Sequence, residues 1–174
     1  MVPEVEMLKA GNVNSECADH RESVNKEIAE VQPYLVIAMS LNSNSINGDK
    51  EDLELGMLRQ YQFLVNNADY VVVLGETPFT VDPRDCLKSN TLMKKCIGDS
   101  KSRGDFRVLT ESASTRVGAK YLDLTPWICS GTKCPIVIDN SFVTWDGGHL
   151  TTAISKKLSP LFRESMRKMG ILEE

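Results

Sequence analysis

Tyr34-Leu-Val-Ile-Ala-Met39 is an unbroken apolar run, and a second one, Tyr70-Val-Val-Val-Leu74, follows later in the chain. A strand with one face in water alternates apolar and polar side chains, and neither run does so. Continuous apolar runs of this length are typical of strands in a parallel sheet that is covered on both faces. The two runs therefore predict a buried parallel sheet.

Helical patterns surround these strands. Predicted helices cover 19–31, 50–67, 106–117 and 149–169, and predicted strands cover 34–39, 70–74, 120–124 and 135–139. The last strand is an edge strand or a hairpin arm, Asp19 is the expected N-cap of the first helix, and Pro160 is expected to bend or split the last helix. Alternating helices and strands predict an α/β fold of the flavodoxin-like, three-layer type with a mostly parallel sheet. Ligand sites of such sheets lie beyond the carboxyl ends of the strands, here in loops 40–49, 75–85 and 125–149.

Composition excludes several classes of protein. The 174 residues fit a single domain covering 1–174, and 24 acidic against 20 basic residues give a net charge of −4. This balance excludes a nucleic-acid binder that is held by phosphate contacts. No apolar run approaches the length of a membrane span, so a transmembrane helix is not expected. The acidic start lacks the basic flank of an export signal, so a signal peptide is not expected either. No glycine-rich phosphate loop follows a strand, which disfavours a nucleotide binder.

Cysteine spacing raises the question of disulfides. The chain has no C-x-x-C pair, and only two histidines could complete a metal site, so no metal site is expected. No cofactor is expected either. Cys129-Ser-Gly-Thr-Lys-Cys134 has a turn-forming interior, and Cys86 and Cys96 bracket a short segment, so each pair is a disulfide candidate. Two disulfides imply an oxidising compartment and leave Cys17 over. The alternative is a set of buried, reduced thiols.

Asp146-Gly-Gly-His149 is the candidate catalytic constellation. An aspartate that accepts a hydrogen bond from Nδ1 of an imidazole leaves Nε2 able to take a proton from a hydroxyl nucleophile. The alternative is structural, with Asp146 capping the last helix and His149 in its exposed first turn. The spacing alone favours the structural alternative, because short Asp/His pairs are frequent.

Several segments together resemble the SGNH (GDSL-like) hydrolase domain of the type fused to bacterial acyltransferase-3 membrane proteins. The segments are Tyr121-Leu-Asp-Leu-Thr-Pro-Trp127-Ile-Cys129, Cys134-Pro135, Ile136-Val-Ile-Asp-Asn140 and Trp145-Asp-Gly-Gly-His-Leu-Thr-Thr152, with Pro33-Tyr-Leu-Val-Ile-Ala and Gly75-Glu-Thr-Pro78 upstream. The family-like region covers 17–162, and residues 1–16 are expected to be an irregular remnant. In this family, the Asp and His that match Asp146 and His149 complete a Ser-His-Asp triad.

The resemblance implies an extracytoplasmic domain that transfers or removes acyl groups on cell-envelope glycans. Its implied partners are an envelope glycan, an acyl donor or acceptor, and a membrane acyltransferase-3 domain. Asn42 and Asn44 occupy the region where family members place an oxyanion donor, although loop asparagines also form turns.

The family's opening strand and its Gly-Asp-Ser motif have no counterpart at the start of this chain. The sequence therefore predicts a fold without its first strand or strands, an uncovered sheet edge with exposed apolar side chains, and a tendency to self-associate. Gly98-Asp99-Ser100 has the letters of the motif, but a charged segment precedes it and Gly104 interrupts the residues after it, so Ser100 is not the expected nucleophile. The resulting expectation is a partial acyl-ester hydrolase or acyltransferase domain that is inactive alone. The alternative is a non-catalytic module that binds glycan or protein.

Overall fold

The structure, a computed structural model, describes residues 6–9, 12–13, 15–39, 46–47, 50–78, 80–88, 96–100 and 104–173. The chain divides into two compact units, Met1–Glu76 with Asp105–Leu122, and Thr77–Gly104 with Asp123–Glu174. Within the described ranges, none of the helices combines the length and apolarity needed to cross a membrane.

Helices and strands alternate along most of the described chain. In order, the elements are β1 (Glu6–Lys9), β2 (Asn12–Val13), α1 (Ser15–Val31), β3 (Leu35–Met39), β4 (Ile46–Asn47), α2 (Lys50–Asn66), β5 (Tyr70–Leu74), α3 (Pro83–Lys88), β6 (Ile97–Asp99), α4 (Gly104–Arg116), β7 (Lys120–Leu122), α5 (Thr125–Ile128), β8 (Lys133–Pro135), β9 (Val137–Ile138), β10 (Ser141–Phe142) and α6 (Thr152–Lys168). The predicted α/β class is confirmed.

The first unit contains the predicted parallel sheet, in the order β3-β5-β7. Its central strand, β5, is buried on both faces, since Val71, Val72 and Val73 are all buried. Helices α2 and α4 pack on one face of the sheet and supply most of the core: Met57, Tyr61, Leu64, Phe106, Leu109 and Ala113. The continuous apolar run of β5 therefore reflects its central position, as predicted.

Among the described residues, strand β3 is covered mainly on one face. Val36 and Ala38 pack against the core of the first unit, whereas Ile37 is 47% and Met39 56% exposed. Among the described strands, β5 is the only partner of β3. The prediction that both apolar runs are covered on both faces is wrong for β3, because an edge strand is covered less fully than the centre of a sheet. Exposed apolar side chains are thus present on β3, and one of its edges is unpaired among the described strands.

The described residues near the chain start form regular secondary structure. β1 pairs antiparallel with β2 and with β4, and α1 begins at Ser15, four residues before the predicted N-cap at Asp19. The expectation that residues 1–16 are irregular therefore differs from the structure, and so does the expectation that residues 40–49 form a continuous loop, since β4 lies within them. Backbone pairing between short, distant segments leaves little signature in local sequence, which is why no pattern indicated it.

The second unit is built from hairpins and the last helix. β6 pairs antiparallel with β8, and β9 and β10 form a hairpin whose turn residues, Asp139 and Asn140, have φ of 45° and 56°. Left-handed residues at both turn positions match the right-handed twist of a tight hairpin. The single strand predicted over 135–139 is therefore divided between two sheets. α6 is continuous from Thr152 to Lys168 with Pro160 inside it, so the proline does not split the helix.

Both predicted cysteine pairs lie at disulfide-bonding distance in the second unit. The Cα atoms of Cys86 and Cys96 are 6.1 Å apart, and those of Cys129 and Cys134 are 4.3 Å apart. Cys17 belongs to α1, and its side chain lies outside the described part of the structure.

Candidate active site

A short loop before α6 carries the predicted catalytic residues. An antiparallel bridge between Thr144 and Leu150 closes the loop, and the Trp145 amide donates to the His149 carbonyl at 3.1 Å. Gly147 has a φ of 88°, a conformation that side-chain-bearing residues rarely adopt. The glycine thus permits the tight reversal that brings the residues on either side of it together.

Asp146 and His149 are in direct contact. Oδ2 of Asp146 lies 2.7 Å from Nδ1 of His149, and Oδ1 accepts the amides of Gly148 at 3.1 Å and His149 at 2.8 Å. Three hydrogen bonds hold the carboxylate in one orientation against the imidazole. The predicted pairing of these side chains is therefore present in the structure.

The pair does not occupy the helix-capping positions of the structural alternative. Helix α6 begins after both residues, and its N-cap is Thr151, whose hydroxyl accepts the Ile154 amide at 3.3 Å. The same hydroxyl donates to the Phe142 carbonyl at 2.6 Å, which ties the end of the loop to β10. Asp146 consequently does not cap the helix, and His149 does not lie in its first turn.

The hydrogen bonds lower the pKa of Asp146. The amide of His149 contributes most, followed among the lowering interactions by its imidazole and by the Gly148 amide, and together they bring the pKa from 3.8 to about 2. The carboxylate is therefore ionised at neutral pH and can only accept hydrogen bonds. It follows that Nδ1 of the neutral imidazole carries the hydrogen and that Nε2 presents its lone pair.

The lone pair of Nε2 is open to solvent. The His149 side chain is 77% exposed, against 21% for Asp146. Within the described part of the chain, Nε2 has no hydrogen-bond partner. An oriented imidazole with an unused acceptor has the chemistry of a general base.

Two buried threonines attach the loop to the segment before α3. The hydroxyls of Thr80 and Thr144 are 2.6 Å apart, and both side chains are completely buried. The Thr144 hydroxyl also accepts the Gly147 amide at 3.1 Å, and the Thr80 amide donates to the Gly147 carbonyl at 2.9 Å. Both backbone groups of Gly147 are thus bonded, which fixes the centre of the loop.

The indole of Trp145 lies beside the imidazole. The ring centroids of Trp145 and His149 are 5.8 Å apart with an interplanar angle of 30°, and the Arg84 guanidinium lies 5.8 Å from the indole centroid. Arg84 is in turn paired with Asp82, with its Nη2 2.6 Å from Oδ2 of the carboxylate. The hydrogen bond with the Arg84 side chain is the largest cause of the lowered pKa of Asp82, and it raises the pKa of Arg84.

The remaining predicted site residues do not join this cluster. Gly98 and Asp99 lie in β6, which pairs antiparallel with β8, and Ser100 is 6% exposed, so the strand before this serine is not the buried parallel strand that precedes a nucleophile elbow. Asn42 and Asn44 lie outside the described residues. Their role as oxyanion donors stays a prediction.

Sequence reasoning missed four residues around the pair, namely Thr80, Asp82, Arg84 and Thr144. The pattern over 75–85 indicates a loop throughout, whereas α3 begins at Pro83. A signal is present in Asp82-Pro83-Arg84, because an aspartate followed by proline is a typical start of a helix. No local pattern, however, indicates that this helix start lies against a loop more than sixty residues later.

Comparisons with known proteins bear on the fold and the family. Residues 2–164 match the family model described as "SGNH domain (fused to AT3 domains)". No curated protein sequence matches the chain. Among solved structures, the chain is similar to the lipopolysaccharide acetyltransferase periplasmic domain of Salmonella ser. Paratyphi A, with 15% sequence identity, a TM-score of 0.61, and coverage of 92% of this chain and 69% of that chain. At this identity the likeness shows the fold, and it confirms the predicted SGNH-like α/β class.

Proposed function

The chain belongs to the SGNH domains that are fused to AT3 domains, and on this premise we propose that it takes part in acyl transfer to or from cell-envelope carbohydrate. In this proposal Asp146 orients the imidazole of His149, and His149 is the general base. The acyl group is carried as an ester of a sugar hydroxyl. The similar solved structure is a periplasmic domain, and both cysteine pairs suit an oxidising compartment, so we place the domain outside the cytoplasm.

The observation that carries the proposal is the 2.7 Å contact between Oδ2 of Asp146 and Nδ1 of His149, whose Nε2 bonds to none of the described residues. Nε2 takes the proton of a hydroxyl as its oxygen attacks the acyl carbonyl, and the tetrahedral intermediate forms. The imidazolium then returns the proton to the departing oxygen as the acyl bond breaks. The Asp146 carboxylate stabilises the imidazolium between these two events.

The hydroxyl that is activated comes from outside the described residues. Ser100 is buried, and no described serine or threonine hydroxyl bonds to Nε2. Among the described residues no hydroxyl is positioned as a nucleophile at Nε2, and without one the covalent route is lost and only residual catalysis from binding and oxyanion donors remains. We propose that the polypeptide of 174 residues is inactive on its own, as its resemblance to a family whose Gly-Asp-Ser motif is not matched here implies.

Ester hydrolysis by the purified chain tests the inactivity. We expect p-nitrophenyl acetate to be cleaved by the wild-type chain no faster than by His149→Ala or by His20→Ala, the matched control at the second, exposed histidine. Turnover that disappears in Ser100→Ala contradicts the proposal, because it makes that serine the nucleophile.

O-acylation of envelope carbohydrate in cells that carry the gene tests the role of His149. His149→Ala and Asp146→Asn should abolish the acylation that depends on this gene, measured as base-labile acyl groups, whereas His20→Ala should retain it. A second function, a non-catalytic module that binds glycan or protein, is favoured by the lack of a described hydroxyl at Nε2. Full acylation with His149→Ala would establish that alternative and exclude catalysis by His149.

A further inference from the structure

Trp145 is unusually exposed for a tryptophan. Its relative exposure is 56%, although tryptophan is on average a highly buried residue. An exposed indole on a loop ordinarily samples several rotamers. Here the indole has contacts with two side chains, the imidazole of His149 and the guanidinium of Arg84.

The guanidinium that lies over the indole is itself anchored. Nε of Arg84 donates to both oxygens of Asp82, at 3.0 and 3.2 Å, and Nη2 donates to Oδ2 at 2.6 Å. Oδ1 of Asp82 also accepts the Arg84 amide at 2.8 Å, and the Asp82 carbonyl accepts the Cys86 amide at 3.1 Å in the first turn of α3. Both members of the ion pair therefore belong to the start of α3. The ion pair is bidentate, a geometry that arginine forms and lysine does not.

The start of α3 is also bonded to the loop 144–150 through residues other than Trp145. Thr80, two residues before Asp82, is bonded through its amide to the Gly147 carbonyl and through its hydroxyl to Thr144. The distance between the helix start and the loop is thus set by buried hydrogen bonds. Arg84 can then act on the indole as a fixed cation and not as a freely moving one.

We infer that Arg84 is a positioning residue for the His149 imidazole and acts through the indole of Trp145. The inference rests on the proposed role of His149 as the base. The hydrogen bond from Nδ1 to Asp146 holds one edge of the imidazole, but a ring that is 77% exposed can still swing about that bond. An indole held beside the ring by a cation restricts this motion and keeps Nε2 aimed in one direction.

Nuclear magnetic resonance of the imidazole tests the inference without any substrate. The chain has two histidines, so a His20→Gln background leaves His149 as the single imidazole signal. We expect a ring-current shift of the His149 ring protons that is lost in Trp145→Ala and largely lost in Arg84→Ala. The Nδ1–H tautomer should persist in both variants, because Asp146 is intact. In the Trp145→Ala background, Arg84→Ala should cause no further shift, since the two residues act in series.

The matched control is Arg116→Ala. Arg116 also forms a 2.6 Å ion pair, with Glu54, and its side chain is 58% exposed, against 59% for Arg84. It lies in the first unit, and among the described residues its guanidinium lies over no aromatic ring. This variant should therefore leave the His149 signals unchanged.

Acylation in cells supplies the functional readout. Losing a cation–aromatic contact at an exposed site should lower acyl transfer roughly two- to fivefold in Arg84→Ala, with partial recovery in Arg84→Lys and none lost in Arg116→Ala. A ring-current shift that survives in Arg84→Ala overturns the inference, and so does full acylation in that variant. Full acylation in His149→Ala overturns the proposed function instead, so the two failures are distinguishable.

Discussion

Replacing Thr144 by valine should destabilise the protein through one buried backbone group. The two side chains have nearly the same shape, so the change removes a hydroxyl and little volume. The buried Gly147 amide then loses its acceptor at 3.1 Å, and the Thr80 hydroxyl loses its 2.6 Å partner. An orphaned buried donor costs roughly 1–3 kcal/mol, and a lost hydrogen bond adds about 1 kcal/mol, so the free energy of unfolding should fall by about 2–4 kcal/mol.

Thr80→Val makes this prediction specific. In that variant the Thr144 hydroxyl still accepts the Gly147 amide, and the losses are its bond to Thr80 and the 3.4 Å bond from the Thr80 hydroxyl to the Gly147 carbonyl, so the expected loss is smaller, about 1–2 kcal/mol. Thr115→Val, at an exposed threonine that bonds carbonyls within its own helix, should change stability by less than about 0.5 kcal/mol. Urea unfolding followed by far-ultraviolet circular dichroism measures all three variants. Equal losses for Thr144→Val and Thr80→Val would refute the reasoning, because the asymmetry comes from the Gly147 amide alone.

Three further predictions concern other parts of the molecule. The pKa of Asp146 lies at about 2 in the folded protein, below 3.8, so its stabilising contribution is complete above pH 3.8 and is lost as the pH falls towards 2. The Tm difference between wild type and Asp146→Asn should therefore shrink over that interval, and a constant difference would contradict the lowered pKa. Replacing Cys129 and Cys134 together by serine should lower the free energy of unfolding by about 2 kcal/mol, because that is the entropy of closing so short a loop. An unchanged urea unfolding curve would contradict this. Ile37→Lys on the uncovered edge of β3 should reduce self-association in light scattering, whereas Val108→Lys, at a 66% exposed helical position, should not; equal effects would argue against the edge as the contact.

The strands of the parallel sheet were predictable because their signal is local. The run over 70–74 coincides with β5, and that over 34–39 with β3 to within one residue. Helix bounds were less accurate at their N-termini, since α1 begins at Ser15 and α6 at Thr152. A cap depends on which backbone conformation precedes the helix, and several polar residues in each region suit that position equally well.

The candidate site was predictable in its chemistry and not in its surroundings. The spacing of Asp146 and His149 allowed a contact and the family resemblance implied one, although the contact forms in a loop and not at a helix entrance. Arg84 and Thr80 lie more than sixty residues from the loop in the sequence, and neither has a pattern that names its partner.

Local order along the chain was enough to determine the α/β class and the buried strand over 70–74, and it made the two cysteine pairs and the acid–imidazole pair candidates, because each depends on side chains close in sequence or on a continuous apolar run. Tertiary structure alone decided which face of β3 stays in water, which residue caps α6, and what holds the indole of Trp145 beside the imidazole. These features depend on hydrogen bonds and contacts between distant segments. Such contacts become favourable only after folding has brought the segments together, so the local sequence does not reveal them.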